Sequence, residues 1–499
     1  MNLINHLILT LIVAAPALAA LLLTLLPSRS RALRPLALLA TAFTLLLTLH
    51  LPAHFASALA PSGFAFEQDL PWIASLGIHY HLGVDGFSQW IVVMTALLAL
   101  LCALTCKRQA GEHEKSFYIL LLLLEAALLG VFVSLDLFLF YCFWEAVIVP
   151  MALLTGLFGQ GGRKRAALRF FLYMMASSMF LLGGTIWLMT QVGSTDFTVL
   201  RAAIGRGQMT PQSLQWLFLC FFATFAVKAP LFPVHAWLPE THAAAPAVVS
   251  VLMLKMGIYG MLRFNLGLFP HESLRNQPWI AALAIATIFY GALQALAQSN
   301  LKRLLAFSSV SHAGMAVLAV FCLTPMAVGG AAFQIVNIGV TTGALFLLAG
   351  LLYERRGSYT IADYGGWAAA HPVLASFSML FTLSAIGLPL TGGFTGEFLM
   401  LSGAWQARPL FAVLASGSVV LGAWYMLRLY KQLFFGAPCA GNEGSGAALS
   451  GMESSALAAL AIAVLLLGIL PSTVLRNFAA SPAPPAASTS QTAAAEVRR

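Results

Sequence analysis

The sequence predicts an all-α polytopic membrane protein with about fourteen transmembrane helices. Of the 499 residues, 60% are apolar and 9% are charged, whereas soluble domains have about 25% charged residues. The mean hydropathy is +0.88, and apolar runs of about 18 or more residues, long enough to cross a bilayer, recur from end to end. This composition excludes an ordinary soluble enzyme, a disordered chain and a disulfide-rich secreted module.

The predicted spans are separated by charged residues or by proline and glycine. The first has no positive charge before it and is longer than the apolar region of a signal peptide, so we expect it to be retained. The predicted spans cover residues 5–27, 33–51, 86–106, 116–134, 137–158, 168–191, 213–233, 244–264, 277–297, 304–323, 326–353, 372–402, 409–432 and 455–475.

Two of these spans are predicted to be broken at membrane depth. The twelfth is too long for one straight helix and contains Gly387, Pro389, Gly392 and Gly393, and the seventh ends in the sequence KAPLFP at 228–233. Proline removes a hydrogen-bond donor and clashes with the preceding turn. Because unpaired backbone groups cannot face lipid, such breaks occur where the chain is covered by protein or lines water.

The distribution of positive charge predicts that both termini lie on the outer side of the membrane. With this orientation the inner loops carry sixteen Lys and Arg residues and the outer side carries eight, in agreement with the positive-inside rule. The outer loop 52–85 has no Lys or Arg, and its alternating pattern predicts a short external hairpin. The tail 476–499 is rich in Ala, Ser and Pro and is predicted to be disordered.

Five titratable side chains are predicted to lie near the middle of the bilayer. A helix rise of about 1.5 Å per residue places four of them roughly 12–16 Å from a surface, and the fifth lies beside the break in the seventh span. A charge at this depth costs about 2.5–3.5 kcal/mol or more. Any one of these residues could be a structural ion pair or a hydrogen-bonded histidine, but five at one depth favour a proton relay parallel to the membrane. The five residues are Glu145, Lys228, Lys255, His312 and Glu397.

These residue types suit proton transfer. Burial disfavours the charged form of a lysine or a carboxylate, and a nearby opposite charge restores it. A Glu145–Lys228 pair would therefore keep a proton on the lysine when the two are close and release it when they separate. Glu125, in the fourth span, is a candidate second carboxylate for this switch. His235 and His242 either gate proton uptake near the inner face or cap helix ends.

No motif in the chain indicates a metal or a redox cofactor. The sequence has no CxxC pair, HExxH motif, Walker A loop or glycine-rich dinucleotide loop. The six cysteines mostly lie within apolar spans, where cysteine serves as a small apolar residue. We therefore expect no cofactor and no metal in this chain, and its net charge of +9 reflects membrane topology rather than a nucleic-acid partner.

Several motifs resemble those of the antiporter-like membrane subunits of proton-pumping NADH:quinone oxidoreductase (respiratory complex I), and above all the subunit M family. The resemblance covers nearly the whole chain, and the motifs match in order and spacing. The matching runs are FLFYCFWEAVIVP at 138–150, FAVKAPLFPVHAWLP at 225–239, KMGIYGMLR at 255–263, LKRLLAFSSVSHAG at 301–314, LYERR at 352–356 and GFTGEF at 393–398.

The resemblance implies two inverted five-helix repeats, each with one broken helix. It also implies that Glu145 and Lys228 form the pair of the first half-channel. Lys255 would be the central lysine, His312 the relay histidine, and Glu397 the terminal carboxylate of the outlet. NADH, FMN, iron–sulfur clusters and quinone would be held by partner subunits. Neighbouring antiporter-like subunits and the lipid of a bacterial-type inner (plasma) membrane would surround the chain, with both termini on the periplasmic side.

The implied organisation has five parts along the chain. They are spans 1–3 with the external hairpin at 1–115, the first repeat (spans 4–8) at 116–265, the second repeat (spans 9–13) at 275–432, a loop and span 14 at 433–475, and the tail at 476–499.

Two departures from the family pattern leave alternatives open. Asn337, in AFQIVNIG at 332–339, stands at or beside the place of a histidine, and we expect it to hold a water bridge between His312 and Glu397. The stretch before Lys255 is short by about one helical turn. A carboxylate at Glu397, where antiporter relatives usually have a lysine, favours complex I over the alternatives, which are a cation/proton antiporter subunit, a membrane-bound hydrogenase subunit and a non-conducting structural subunit.

Overall fold

The computed structural model describes residues 3–105, 107–253, 255–436 and 448–478. This part of the chain is almost entirely helical, and twelve of its helical segments are long and apolar enough to cross a membrane. The predicted all-α class is therefore confirmed. The two further spans of the predicted fourteen are those expected to be broken. The predicted disordered tail begins too early, because residues 476–478 form the end of helix α22 (Ser472–Phe478); the rest of it lies outside the described residues.

The N-terminal part consists of membrane helices and a β-hairpin. Helices α1 and α2 pack against each other and against α5, and α2 also packs against α3. The elements are α1 (Leu3–Leu25), α2 (Leu33–Ala58), β1 (Ala65–Ile73), β2 (Ile78–Val84), α3 (Ser88–Thr105), α4 (Lys107–Ala110) and α5 (Glu114–Val133).

The hairpin predicted within loop 52–85 is confirmed. Strands β1 and β2 pair in antiparallel fashion, and Gly77 enters β2 with a φ of 62°, which glycine adopts without steric cost. The backbone amide of Leu135 donates to the carbonyl of His81 at 2.9 Å. The hairpin is thus attached to the ends of the membrane helices.

The first half of the core contains the first broken span. Helix α10 ends at Lys228 and α11 begins at Trp237, with Pro230 and Pro233 between them, so the predicted break is confirmed. Helices α6 and α7 together form one span, which begins where Asp136 accepts hydrogen bonds from the first helical amides. The elements are α6 (Leu137–Ala146), α7 (Ile148–Phe158), α8 (Arg163–Val192), α9 (Phe197–Gly205), α10 (Pro211–Lys228), α11 (Trp237–Ala244), α12 (Ala247–Leu252) and α13 (Met256–Gly260).

The span predicted over 244–264 corresponds to the candidate membrane span Ala247–Leu266, but an interruption within it was not predicted. Helix α12 ends at Leu252, and Lys255 stands just before α13 with φ −78° and ψ 48°. A π-helical segment, Met261–Leu266, follows α13. Gly257 allows α13 to approach α10 closely, since a Cβ there would lie 2.5 Å from the carbonyl oxygen of Phe225. The interruption places the central lysine at a helix start instead of within a helix.

The second half repeats the pattern of long helices and one broken span. Helix α18 ends at Ala385 and α19 begins at Gly392, and Gly387 has a φ of 74° within the break; the predicted break is confirmed. The inverted-repeat relation stays a prediction. The elements are α14 (Pro270–Leu296), α15 (Leu301–Phe321), α16 (Pro325–Arg356), α17 (Trp367–Ala370), α18 (Pro372–Ala385), α19 (Gly392–Ala407), α20 (Pro409–Phe434), α21 (Gly451–Ile469) and α22 (Ser472–Phe478).

Burial separates the inner helices from the outer ones. Nearly every residue of α15 is buried, and so is most of α16. Helices α2, α8 and α20 instead expose large apolar side chains such as Leu46, Met179 and Trp424, as expected for surfaces that face lipid or other subunits. Polar side chains on α15 and α16 therefore lie at the centre of the protein.

Candidate functional site

The first pair of predicted site residues comes together between α6, α8 and α10. Glu145 on α6 has the hydroxyl of Ser178 and the ammonium of Lys228 as its polar neighbours. Lys228 is the last residue of α10, is buried, and lies 4.8 Å above the centroid of the Trp144 ring. Its Nζ has no hydrogen-bond partner, and neither does Oε1 of Glu145. The two charges thus influence each other without a direct hydrogen bond.

A small cavity lies between Lys228 and Lys255. Both lysines line it, together with Pro230 of the break and Trp237 at the start of α11. Its volume is about 10 Å³, close to the roughly 10–15 Å³ needed for one water molecule. The break in the seventh span therefore opens beside both lysines.

Lys255 is held by the helix of the second half. Its Nζ donates to the carbonyl of Ser309 at 3.0 Å and to the Ser309 hydroxyl at 2.6 Å. A second cavity of about 10 Å³ is lined by Lys255, Ser309, His242 and Ser250. Lys255 thus lines both cavities and joins the two halves of the protein.

The terminal pair of predicted residues is also adjacent. Nδ1 of His312 on α15 lies 3.8 Å from Oε1 of Glu397 on α19, and both side chains are largely buried. The break in the twelfth span lies close by, since a Cβ on Gly387 would lie 2.5 Å from Oε2 of Glu397. Tyr425 on α20 acts electrostatically on Glu397 and hydrogen-bonds the hydroxyl of Ser308 at 3.0 Å.

A third cavity connects His312 to the centre. It has a volume of about 10 Å³ and is lined by His312, Asn337, Thr341 and Ser384 among others. Ile338 and Thr342 line both this cavity and the one beside Lys255. Three water-sized spaces therefore follow one another from Lys228 to His312.

The water bridge expected at Asn337 between His312 and Glu397 stays a prediction. Nδ1 of His312 lies 3.8 Å from Oε1 of Glu397, which is longer than a hydrogen bond, and both His312 and Asn337 line the third cavity.

Asn337 also contacts the break in the twelfth span. It donates to Gln334 at 3.2 Å and accepts from Thr341 at 3.2 Å, and Thr341 shares a hydrogen bond with Ser384 at the end of α18. A Cβ on Gly392 would lie 2.5 Å from Oδ1 of Asn337. The asparagine therefore lies against this break.

The three additional candidates differ in their surroundings. Glu125 is fully buried in α5, and neither of its carboxylate oxygens has a hydrogen-bond partner. His235 lies within the break, with its ring centroid 4.6 Å from that of Tyr290. His242 stacks on Phe346 at 4.5 Å and lines the cavity of Lys255. His242 therefore shares a cavity with a residue of the predicted row.

Sequence reasoning missed three buried charged groups. Lys302, counted as an inner-loop charge, and Arg263, counted as an outer one, are both buried. Arg263 pairs with Asp85 at 2.7 Å although 178 residues separate them. His81 of the hairpin, to which no role was given, pairs with Asp196. No local pattern signals contacts of this range.

The His81–Asp196 pair lies outside the membrane spans. Burial opposes charge on both groups, yet their mutual hydrogen bond raises the pKa of His81 above its ordinary value of 6.5. For the same reason the pKa of Asp196 lies below its usual 3.8. The pair therefore favours the charged form of each partner.

Within the described ranges no group of three or more His, Cys, Asp or Glu residues could hold a metal ion. Among the described residues, Cys142, Cys220 and Cys322 are free thiols. The chemistry that this arrangement offers is proton transfer among amines, carboxylates, imidazoles and hydroxyls.

The family model and the most similar relatives reported below agree on one family. A family model described as "NADH:quinone oxidoreductase/Mrp antiporter, TM" matches residues 134–422. NADH-quinone oxidoreductase subunit M of Rhodobacter capsulatus is 39% identical over 461 residues, covering 90% of this chain and 89% of that protein. Subunit M of Rickettsia prowazekii (strain Madrid E) is 36% identical over 446 residues, covering 89% and 90%.

Solved structures share the fold. A chain of respiratory complex I from Thermus thermophilus, solved with bound NADH, is 34% identical with a TM-score of 0.84 and covers 94% of this chain and 97% of that one. A chain of the Mrp complex from a Dietzia species has a TM-score of 0.85 at 22% identity and covers 97% and 98%. The second likeness concerns the fold alone.

Proposed function

The chain belongs to the NADH:quinone oxidoreductase/Mrp antiporter transmembrane family, and from this premise we propose that it is the subunit M type proton-translocating membrane subunit of NADH:quinone oxidoreductase. It relays protons through buried Glu, Lys and His side chains at the membrane midplane. Redox chemistry in partner subunits drives the relay, and this chain carries out none itself.

One observation carries the proposal. The five candidate relay residues follow one another across both halves of the protein, and each is joined to the next by a close contact or by a water-sized cavity. An isolated structural ion pair would need neither the cavities nor the unpaired Nζ of Lys228. A non-conducting structural subunit would have no use for this arrangement.

The geometry suggests how a proton moves. When Glu145 is near, its charge keeps Lys228 protonated; when the two separate, the lysine can release its proton toward the cavity that it shares with Lys255. A proton on Lys255 passes Ser309 and the next two cavities toward His312. Glu397, 3.8 Å from His312, then receives it and serves as the terminal carboxylate of the outlet.

The partners follow from this role. NADH, FMN, iron–sulfur clusters and quinone would be bound by other subunits, and neighbouring antiporter-like subunits would cover part of the exposed apolar surface. We place the chain in a bacterial-type inner membrane with both termini on the periplasmic side. The carboxylate at Glu397 favours this assignment over a cation/proton antiporter, whose subunits usually have a lysine there.

The test is proton uptake by inverted membrane vesicles during NADH oxidation, in strains that assemble the complex. Glu145→Gln and Lys228→Ala should each abolish or strongly reduce proton uptake, while the amount of assembled complex stays near that of the parent. Glu145→Asp should be milder, because it keeps the charge. Normal uptake by Glu145→Gln or by Lys228→Ala in an assembled complex would refute the proposal.

A further inference from the structure

Lys302 is a buried lysine with an unusual partner. It is the second residue of α15 and is 1% exposed. Its Nζ donates to the backbone carbonyl of Ala245 and lies 4.7 Å from the centroid of the Tyr359 ring. Within the described ranges no carboxylate pairs with it. Burying an ammonium group without a counter-ion is costly unless its hydrogen bonds are satisfied, so this placement calls for a specific reason.

Ala245 is the point where the broken seventh span ends. Helix α11 stops at Ala244, and α12 begins two residues later. The junction is held from several sides, since the amide of Gln160 donates to Ala244 at 2.7 Å and the amide of Ala247 donates to Oε1 of Gln109 at 3.0 Å. A cation at this helix end also compensates the partial negative charge of the unpaired carbonyls.

The helix that carries Lys302 also carries the acceptor of the central lysine. Ser309, which holds Lys255, follows Lys302 by two turns on the same face of α15, or roughly 10 Å along the axis. His242, three residues before Ala245, lines the cavity shared by Lys255 and Ser309. The charges of both Lys255 and Lys302 act on His242.

We propose that Lys302 is a positioning residue for proton transfer between the two halves of the protein. It ties the end of the broken seventh span to α15 and so fixes the distance of His242 and the break from the Lys255–Ser309 contact. The proposal rests on the proposed function, because it assigns a role within that same relay. The positive charge and the hydrogen-bond donor of Lys302 matter, and release of its proton does not.

Three variants separate the alternatives in membranes that contain the assembled complex. Lys302→Met keeps the side-chain length but removes the charge and the donor, whereas Lys302→Arg keeps both and cannot release a proton at neutral pH. Arg303→Met removes the same charge from the adjacent residue, whose side chain is exposed. The measured quantity is the ratio of protons taken up to NADH oxidised, because a loss of assembly alone would not change this ratio.

We expect Lys302→Met to lower the ratio severalfold, Lys302→Arg to restore most of it, and Arg303→Met to match the parent. A parental ratio in Lys302→Met would overturn the proposal. So would a ratio in Lys302→Arg as low as in Lys302→Met, since that result would make the transferable proton the essential property. If Lys302→Met does not assemble, the Lys302→Arg result still decides between these roles.

Glu145→Gln, measured in parallel, keeps the two proposals apart. Reduced uptake in Glu145→Gln with a parental ratio in Lys302→Met would leave the relay standing and refute only the positioning role. Normal uptake in Glu145→Gln would refute the relay itself, whatever Lys302→Met shows.

Discussion

Removing the charge of Asp85 should destabilise the outer end of the span that carries Lys255. Oδ2 of Asp85 accepts from Arg263 at 2.7 Å, and its Oδ1 accepts from the amide of Ser88 at 2.9 Å. In Asp85→Asn the amide oxygen can still accept from Ser88. The variant therefore removes chiefly the ion pair and leaves Arg263 buried without a counter-ion.

The expected magnitude follows from the burial of both partners, whose side chains are 2% and 4% exposed. Breaking a buried ion pair from one side costs about 3–5 kcal/mol, whereas replacing both partners by neutral groups is often close to neutral. The rings of Phe64, Phe87 and Tyr259 lie 5.1–5.5 Å from the guanidinium of Arg263 and offset about 1 kcal/mol of this. We therefore expect Asp85→Asn to cost about 3 kcal/mol.

The assay is unfolding of the purified subunit in mixed detergent micelles, together with the amount of assembled complex. Asp85→Asn and Arg263→Met should each lower the free energy of unfolding. The loss in the double variant should be about 2–3 kcal/mol smaller than the sum of the two single losses. Arg206→Met, at an exposed outer position, is the matched control and should be neutral. Additive single effects would refute the reasoning, because they would mean that the two charges do not stabilise each other.

Two further predictions concern the outer hairpin and the outlet. The contact between His81 and Asp196 should be stable between two pKa values. The lower is the pKa of Asp196, which lies below 3.8, and the upper is the pKa of His81, which lies above 6.5. The contact should weaken as pH falls through the first value or rises through the second. The Leu135 amide should be protected from hydrogen exchange within this pH range and should lose protection at alkaline pH. In His81→Gln this alkaline loss of protection should be absent, and an unchanged loss in that variant would contradict the assignment. Glu397→Lys should retain part of the proton uptake and Glu397→Ala should not; parental uptake by Glu397→Ala would place the outlet elsewhere.

Local chemistry in the sequence was enough to predict the breaks and the hairpin. Proline and glycine act on the chain within one turn, so Pro230 and Gly387 mark the interruptions wherever the helices pack. The depth of each titratable residue also follows from local helix geometry. For this reason His312 and Glu397, from different spans, could be placed at one level before their contact was known.

Contacts between distant segments could not be predicted in the same way. The interruption before α13 has no proline within it; it coincides with the bond of Lys255 to Ser309 and with the close approach that Gly257 permits. Lys302 looked like an ordinary inner-loop charge, because only the packing of α11 against α15 buries it. The contact of Asn337 with the break in the twelfth span could not be predicted for the same reason.

The most direct test of the central claim is the effect of Lys255→Met on the ratio of protons taken up to NADH oxidised. Lys255 lines two of the three cavities and donates to Ser309 of the second half, so a continuous row requires it. We predict that Lys255→Met lowers the ratio clearly below that of the parent, while Lys164→Met, which removes an exposed inner charge, leaves it unchanged. A parental ratio in an assembled Lys255→Met complex would contradict the claim that protons cross the midplane through this row.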